Sequence, residues 1–174
     1  MSLFKFHDSN FINTFNNPTI VATVDTYNGY QFAVIDGEAV AFANAAAAEV
    51  GDIYVMNNII DKPEILNTDS YKVSDGEYIR GFRLKDFVGL SVDMSADLVT
   101  DAFAGVSVGD TLIPRATSED TTNTMKWKKA ADVSDYVIYL EVTKKTTFGA
   151  FTVDGDGGTV AGGYVCEVKQ HVAS

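Results

Sequence analysis

YQFAVIDGEAVAFA, residues 30–43, decides the fold class of this chain. Two apolar runs with strand-like composition meet at Asp36-Gly37. An Asp-Gly pair between such runs is a strong short-range hairpin signal, because a tight hairpin turn needs positive φ at its centre. Upstream, TIVATVDT (19–26) alternates and is rich in β-branched residues. Downstream, NAAAAEV (44–50) is the best local case for a helix, since Ala leads the helix scale. At about two turns it needs tertiary support.

The same punctuation continues to the end of the sequence. A strand is expected over 53–56, then loop over 57–76. EYIRGFRL (77–84) and FVGLSVDMS (87–95) read as two more strands. SADLVTDAFAG (95–105) reads as a short helix with Ser95 as N-cap and Gly105 just past its end. VGDTLIPRA, MKWKKA, DYVIYLEVT, TTFGAFTV and YVCEVKQ follow as strands, with the polar loop ATSEDTTNT after the first. VGDIYVM (50–56) and VGDTLIP (108–114) share a turn feeding an apolar strand; a diverged duplication is one explanation. Turn signals recur about every eight to twelve residues, the spacing of a sandwich or barrel and not of βαβ units. The expected fold is therefore all-β or β-dominated α+β. It is an antiparallel sandwich or barrel of about nine to eleven short strands with about one to three short helices.

No Gly/Ser or Pro-rich linker divides the 174 residues, which contain only three prolines. Residues 1–18 read as an N-terminal arm and 19–174 as a single β-rich domain, or as two small lobes sharing one core. The arm carries Phe4, Phe6, Phe11 and Phe15 among asparagines. It either packs on its own domain or docks on a neighbouring subunit, which makes these phenylalanines candidate partner contacts.

Hydrophobic residues form 46% of the chain, enough for a full core. The net charge of −11 repels a phosphate backbone, so no nucleic-acid partner is expected. Cys166 is the only cysteine, which excludes an intrachain disulfide and a cysteine-based zinc site. Lys5, His7, Asp8 and Asn10 interrupt the apolar residues near the start, so no signal-peptide core is read there. No apolar run approaches the roughly 20 residues that span a bilayer, and no membrane partner is expected. The setting expected is a cytosol, or a particle assembled in one.

GVSVG (105–109) matches the nucleophile-elbow pattern, and Ser107, then Asp132, Asp135 or Asp154, then His171 follow in hydrolase order. That motif needs a helix after the serine, whereas DTLIPRA reads as a strand. The only histidines, His7 and His171, lack metal-type partners at helical spacing. KWKK (126–129) is the pattern of a single-strand binder, but a core Trp127 between solvated lysines is the simpler reading. FTVDGDGGTVAGGYVCEV (151–168) suggests a cation or phosphate loop. It has Gly158 and Val165 where a calcium loop needs acids, Tyr164 where a phosphate loop needs Lys, and Val160 where a dinucleotide loop needs Gly. It reads as a hairpin tip, with a weak cation at Asp154 and Asp156 left open. Cys166 alternates with Tyr164 and Val168 and is expected buried and inert. No cofactor and no catalytic residue are expected.

The VGD turns, LIP before a Trp-containing strand, the Tyr-rich strand and the terminal GGYVCEV hairpin give a pattern across residues 19–170. It resembles the capsid-associated proteins of tailed bacteriophages, the decoration, cement or head-fibre class. The resemblance implies a non-enzymatic virion component that binds the capsid surface, often as a homo-oligomer. Its partner would be the major capsid protein or another virion protein, and its location the virion. Two other classes stay open. One is a carbohydrate- or receptor-binding fibre or tail module, stacking sugars on Tyr27, Tyr30, Tyr54 or Tyr78. The other is a Ser107-dependent hydrolase.

Overall fold

The computed structural model describes residues 4–6, 18–58, 72–146, 152–153, 158–159 and 162–171. The first strands are β1 (Phe4–Phe6), β2 (Ile20–Ala22), β3 (Gln31–Ile35) and β4 (Glu38–Val40). Helix α1 (Ala45–Val50) precedes β5 (Tyr54–Met56), β6 (Tyr78–Ile79), β7 (Gly81–Arg83), β8 (Ser91–Ser95), β9 (Thr111–Pro114) and β10 (Trp127–Ala130). The long strands β11 (Ile138–Thr146) and β14 (Gly163–Gln170) bracket the two-residue strands β12 (Thr152–Val153) and β13 (Gly158–Thr159). The chain is β-dominated, as expected. Its strands are finely divided because bends such as Arg80, between β6 and β7, split continuous sequence.

The hairpin signal is realised at β3–β4. Asp36 has φ 51° and Gly37 φ 86°, so both turn residues are left-handed, and Ile35 faces Glu38 across the turn. Helix α1 forms where expected, with the backbone N–H of Ala47 donating to Asn44 Oδ1 at 2.9 Å. The helix expected over 95–105 is replaced by two 3-10 turns, Ala96–Leu98 and Phe103–Gly105. Two contacts account for this. The Ser95 hydroxyl bonds the Asp97 carboxylate instead of capping the backbone. Val99 and Thr100 are held extended against Trp127, with Thr100 N–H donating to the Trp127 carbonyl at 2.8 Å.

The large sheet has the order β1-β8-β14-β11-β9-β10 and is antiparallel throughout. One face buries Phe4, Phe6, Val92, Met94, Tyr164, Cys166, Val168, Ile138, Leu140, Val142, Leu112 and Trp127. Cys166 is thus buried beside Tyr164 and Val168, as the alternation predicts. The opposite face carries Asp93, Glu167, Lys169, Glu141 and Thr111, all half-exposed.

The register shifts between Val142 and Lys144, leaving Thr143 as a bulge whose hydroxyl donates to the Val165 carbonyl at 3.1 Å. Beyond the bulge Lys145, not Lys144, pairs with inward-facing Tyr164. Its ammonium reaches the carbonyls of Phe103 and Val106, the latter at 2.8 Å, and lies 4.2 Å from the centre of the Phe103 ring.

The small sheet has the order β6-β2-β4-β3-β5-β7, with β2 and β4 parallel and the other pairs antiparallel. Its edge strands, β6 and β7, are separated in the chain by Arg80 alone. The sheet therefore curls on itself, without a hydrogen-bonded seam between those edges. Inside the curl sit Ala22, Phe32, Ala39, Met56, Ile79 and Met125. A Cβ on Gly81 would come within 2.6 Å of Ile20 Cδ1, so the bend after Arg80 packs as tightly as backbone allows.

The outward residues Val55 and Phe82 of the small sheet join the buried face of the large one in a single cluster. Two sheets facing one another across that cluster make a sandwich. Polar groups tie them together. Gln31 Nε2 donates to the Lys126 carbonyl at 2.9 Å, and Trp127 Nε1 donates to the Gly29 carbonyl at 3.0 Å. Met125, expected on the strand with Trp127, instead has φ 65° and turns its side chain into the second core.

Candidate docking face

On the outside of the small sheet, one row crosses four strands: Tyr78 faces Val21, Val21 faces Glu38, and Glu38 faces Ile35. Register partners on neighbouring strands present their side chains on the same side. Tyr78 is 60% exposed and Ile35 54%, two of the largest exposures among the apolar side chains. The turn Asp36-Gly37 is fixed at one end of this row by Val21 N–H, which donates to the Gly37 carbonyl at 2.9 Å. At the other end, Ser74–Glu77 forms a turn on β2. Gly76 N–H donates to the Ala22 carbonyl at 2.8 Å, and Ala22 N–H donates to the Glu77 carbonyl at 2.9 Å. Glu77 also accepts from Ser74 N–H at 2.9 Å through its carboxylate, which closes the turn.

The two exposed segments, 35–38 and 74–78, hold Asp36, Glu38, Asp75 and Glu77 and contain no Lys or Arg. A row of apolar side chains broken only by Glu38, with a polar rim of the same sign and mounted on hydrogen-bonded turns, has the anatomy of a protein-docking surface. Tyr supplies large contact area there at low entropic cost.

Other residues singled out in the sequence lie elsewhere. Phe4 and Phe6 are 3% and 1% exposed and fill the core of their own chain, whereas Phe11, Phe15, His7, Asp154 and Asp156 lie outside the described residues. Of the four tyrosines, Tyr30 packs against both cores, Tyr27 lies 5.3 Å from it, and Tyr54 stacks on Phe32. Only Tyr78 among them presents an exposed ring. Trp127 is fully buried; Lys128 pairs with Glu119, and Lys129 with Asp110 at 2.6 Å, so two of the three lysines of KWKK are held by acids.

Ser107 sits in a turn where its N–H donates to Asp110 at 2.7 Å. The Lys129 ammonium, then that Ser107 N–H, hold the Asp110 carboxyl below its ordinary value. Ser107 and His171 do not converge. Gly109 bonds the Val142 carbonyl and His171 the Val137 carbonyl, and five residues of strand between those points span about 17 Å. Asp132 is held below its ordinary value by Ser134 first, with His171 a smaller contributor. Among the described residues, no group of three or more His, Cys, Asp and Glu side chains is placed to hold a metal ion. No helix among them is long and apolar enough to cross a membrane.

The face leaves little trace in the sequence. By sequence Tyr78 is one of four equivalent tyrosines, and Ile35 the end of a strand. The one local signal is that Val34 and Ile35 are consecutive apolar residues, so one of them must point away from the curl. Nothing local brings 74–78 beside 35–38. No protein-family model, curated protein or solved structure matches the chain.

Proposed function

We propose that this chain is a non-enzymatic structural component of a tailed-phage particle and binds the capsid surface through the Tyr78–Val21–Glu38–Ile35 face. The observation that carries this reading is the exposed row of Tyr78, Val21 and Ile35, interrupted by Glu38 and rimmed by Asp36, Asp75 and Glu77. A convex, rigidly mounted face of that kind is suited to cover another protein surface, and unsuited to enclose a small substrate. The bound surface presents Lys or Arg opposite Asp36, Glu38, Asp75 and Glu77, so association weakens as salt rises. The resemblance of residues 19–170 to capsid-decorating proteins supplies the class of partner.

The test is co-sedimentation of the purified chain with tailed-phage capsid shells, followed by electron microscopy of decorated and bare shells. Binding that falls between low and high salt, with added density on the outer surface, supports the proposal. Absence of the chain from every shell tested at low salt overturns it. One further reading has an observation in its favour: the exposed Tyr78 ring is suited to stack on a sugar face. Glycan binding that Tyr78→Ala abolishes, without any capsid binding, moves the assignment to a carbohydrate-binding fibre module.

A further inference from the structure

Five of the six strands in the large sheet come from residues 91–170, and β1 alone comes from before the small sheet. Those five pair without it, since β8 is bonded to β14 along its other edge. What β1 adds is a plug. Phe4 and Phe6 enter a slot beside β8 that is lined by Phe82, Phe87, Leu98 and Gly29. Phe6 stacks on Phe87 at 4.4 Å and meets Phe82 edge-on at 5.7 Å. A Cβ on Gly29 would come within 2.9 Å of Phe4 Cβ and 2.4 Å of Leu98 Cδ1, so the slot closes on the strand with no space left over. With β1 removed, β8 would present an unpaired edge beside an apolar trough, the geometry that binds an added strand.

We propose that this slot is a strand-acceptor site whose second occupant is residues 4–6 of another copy of this chain. The contacts β1 makes are the same in either chain, so neither arrangement gains a bond over the other. The balance turns on the connector and on protein concentration. The connector, residues 7–19, has a contour length of about 40 Å, close to the width of a domain this size. It is long enough to deliver β1 to a neighbour. This inference does not rest on the docking face or on any capsid partner.

Lys5 and Asp93 are partners in the β1–β8 ladder. Chains carrying Lys5→Cys alone and chains carrying Asp93→Cys alone are mixed, unfolded, refolded together and oxidised. With Cys166→Ala in both chains to remove the native thiol, a disulfide joining the two variants in excess of random pairing reports β1 of one lying on β8 of the other. The expected result is a mixed covalent dimer several-fold above the background of either variant oxidised alone, rising with concentration. No excess over that background overturns the proposal. A second readout uses the wild-type chain, so that a folding defect in the variants cannot decide the matter. A fluorescent peptide of residues 1–10 is present during refolding. Retention of this peptide, and not of one with Phe4→Ala and Phe6→Ala, is expected; equal retention of both, or of neither, is contrary.

Discussion

At the scale of single residues, backbone conformation and side-chain space separate cleanly at two glycines. Gly37 has φ 86° and nothing within 4 Å of a built Cβ, so an added methyl meets only conformational strain. Gly37→Ala is expected to cost about 1–2 kcal/mol in a denaturant melt. Gly105 also has open space but no positive φ, so Gly105→Ala is expected to be neutral or to stabilise by about 0.4–1 kcal/mol. Tyr164 offers a second test. Its hydroxyl is buried and finds no partner among the described residues, and burial pushes its pKa up to about 12. A raised acid pKa means the folded state favours the protonated form. That contribution is complete below the ordinary value of 10 and is lost as pH rises from 10 towards 12. Tyr164→Phe should therefore stabilise by about 1 kcal/mol at neutral pH, by removing a buried unpaired group. It should also flatten the loss of stability above pH 10, while Tyr30, likewise pushed up to about 12, together with Tyr136 and the Cys166 thiol, both also pushed up by burial, supply the slope that remains. The Asp36-Gly37 turn was legible because the dipeptide encodes its own backbone. The left-handed Met125 was not, because its conformation is imposed by two cores that pull Met125 and Trp127 in different directions.

At the scale of elements, alternation predicted which face of β14 is buried, since one polar slip would expose the whole strand. It could not predict the bulge at Thr143, which moves Lys145 to the inner face. The consequence is that Lys145 holds the carbonyls of Phe103 and Val106 and fixes the 3-10 turn at Phe103–Gly105. Lys145→Met keeps the stem and removes the donor. Backbone exchange at Gly105, whose N–H bonds the Ala102 carbonyl at 2.7 Å, is then expected to quicken, while the amides of β14 keep their protection. Unchanged exchange at Gly105 would show that the turn holds without the lysine. The helix expected over 95–105 failed for a related reason. Its caps were present, but the pull of Trp127 on residues 99–100 came from about 27 positions away in sequence, beyond any local pattern.

At the scale of the whole molecule, the β-dominated class was legible from turn spacing and β-branched composition. The division into a larger antiparallel sheet and a curled one was not, since the curl depends on Arg80 lying between two strands at opposite edges of one sheet. The docking face is a product of that curl, which brings the 36–37 and 74–77 turns to either side of β2. The measurement that bears most directly on its role compares capsid binding of three chains by co-sedimentation at low salt. These are the wild type, Ile35→Ala with Tyr78→Ala, and Val108→Ala as a control at a side chain 61% exposed on a distant turn. Truncating the two most exposed apolar side chains of the row should weaken binding at least about thirtyfold, on the order of 2 kcal/mol, and truncating Val108 should leave it unchanged. Wild-type affinity in the Ile35/Tyr78 variant would contradict the assignment of this face.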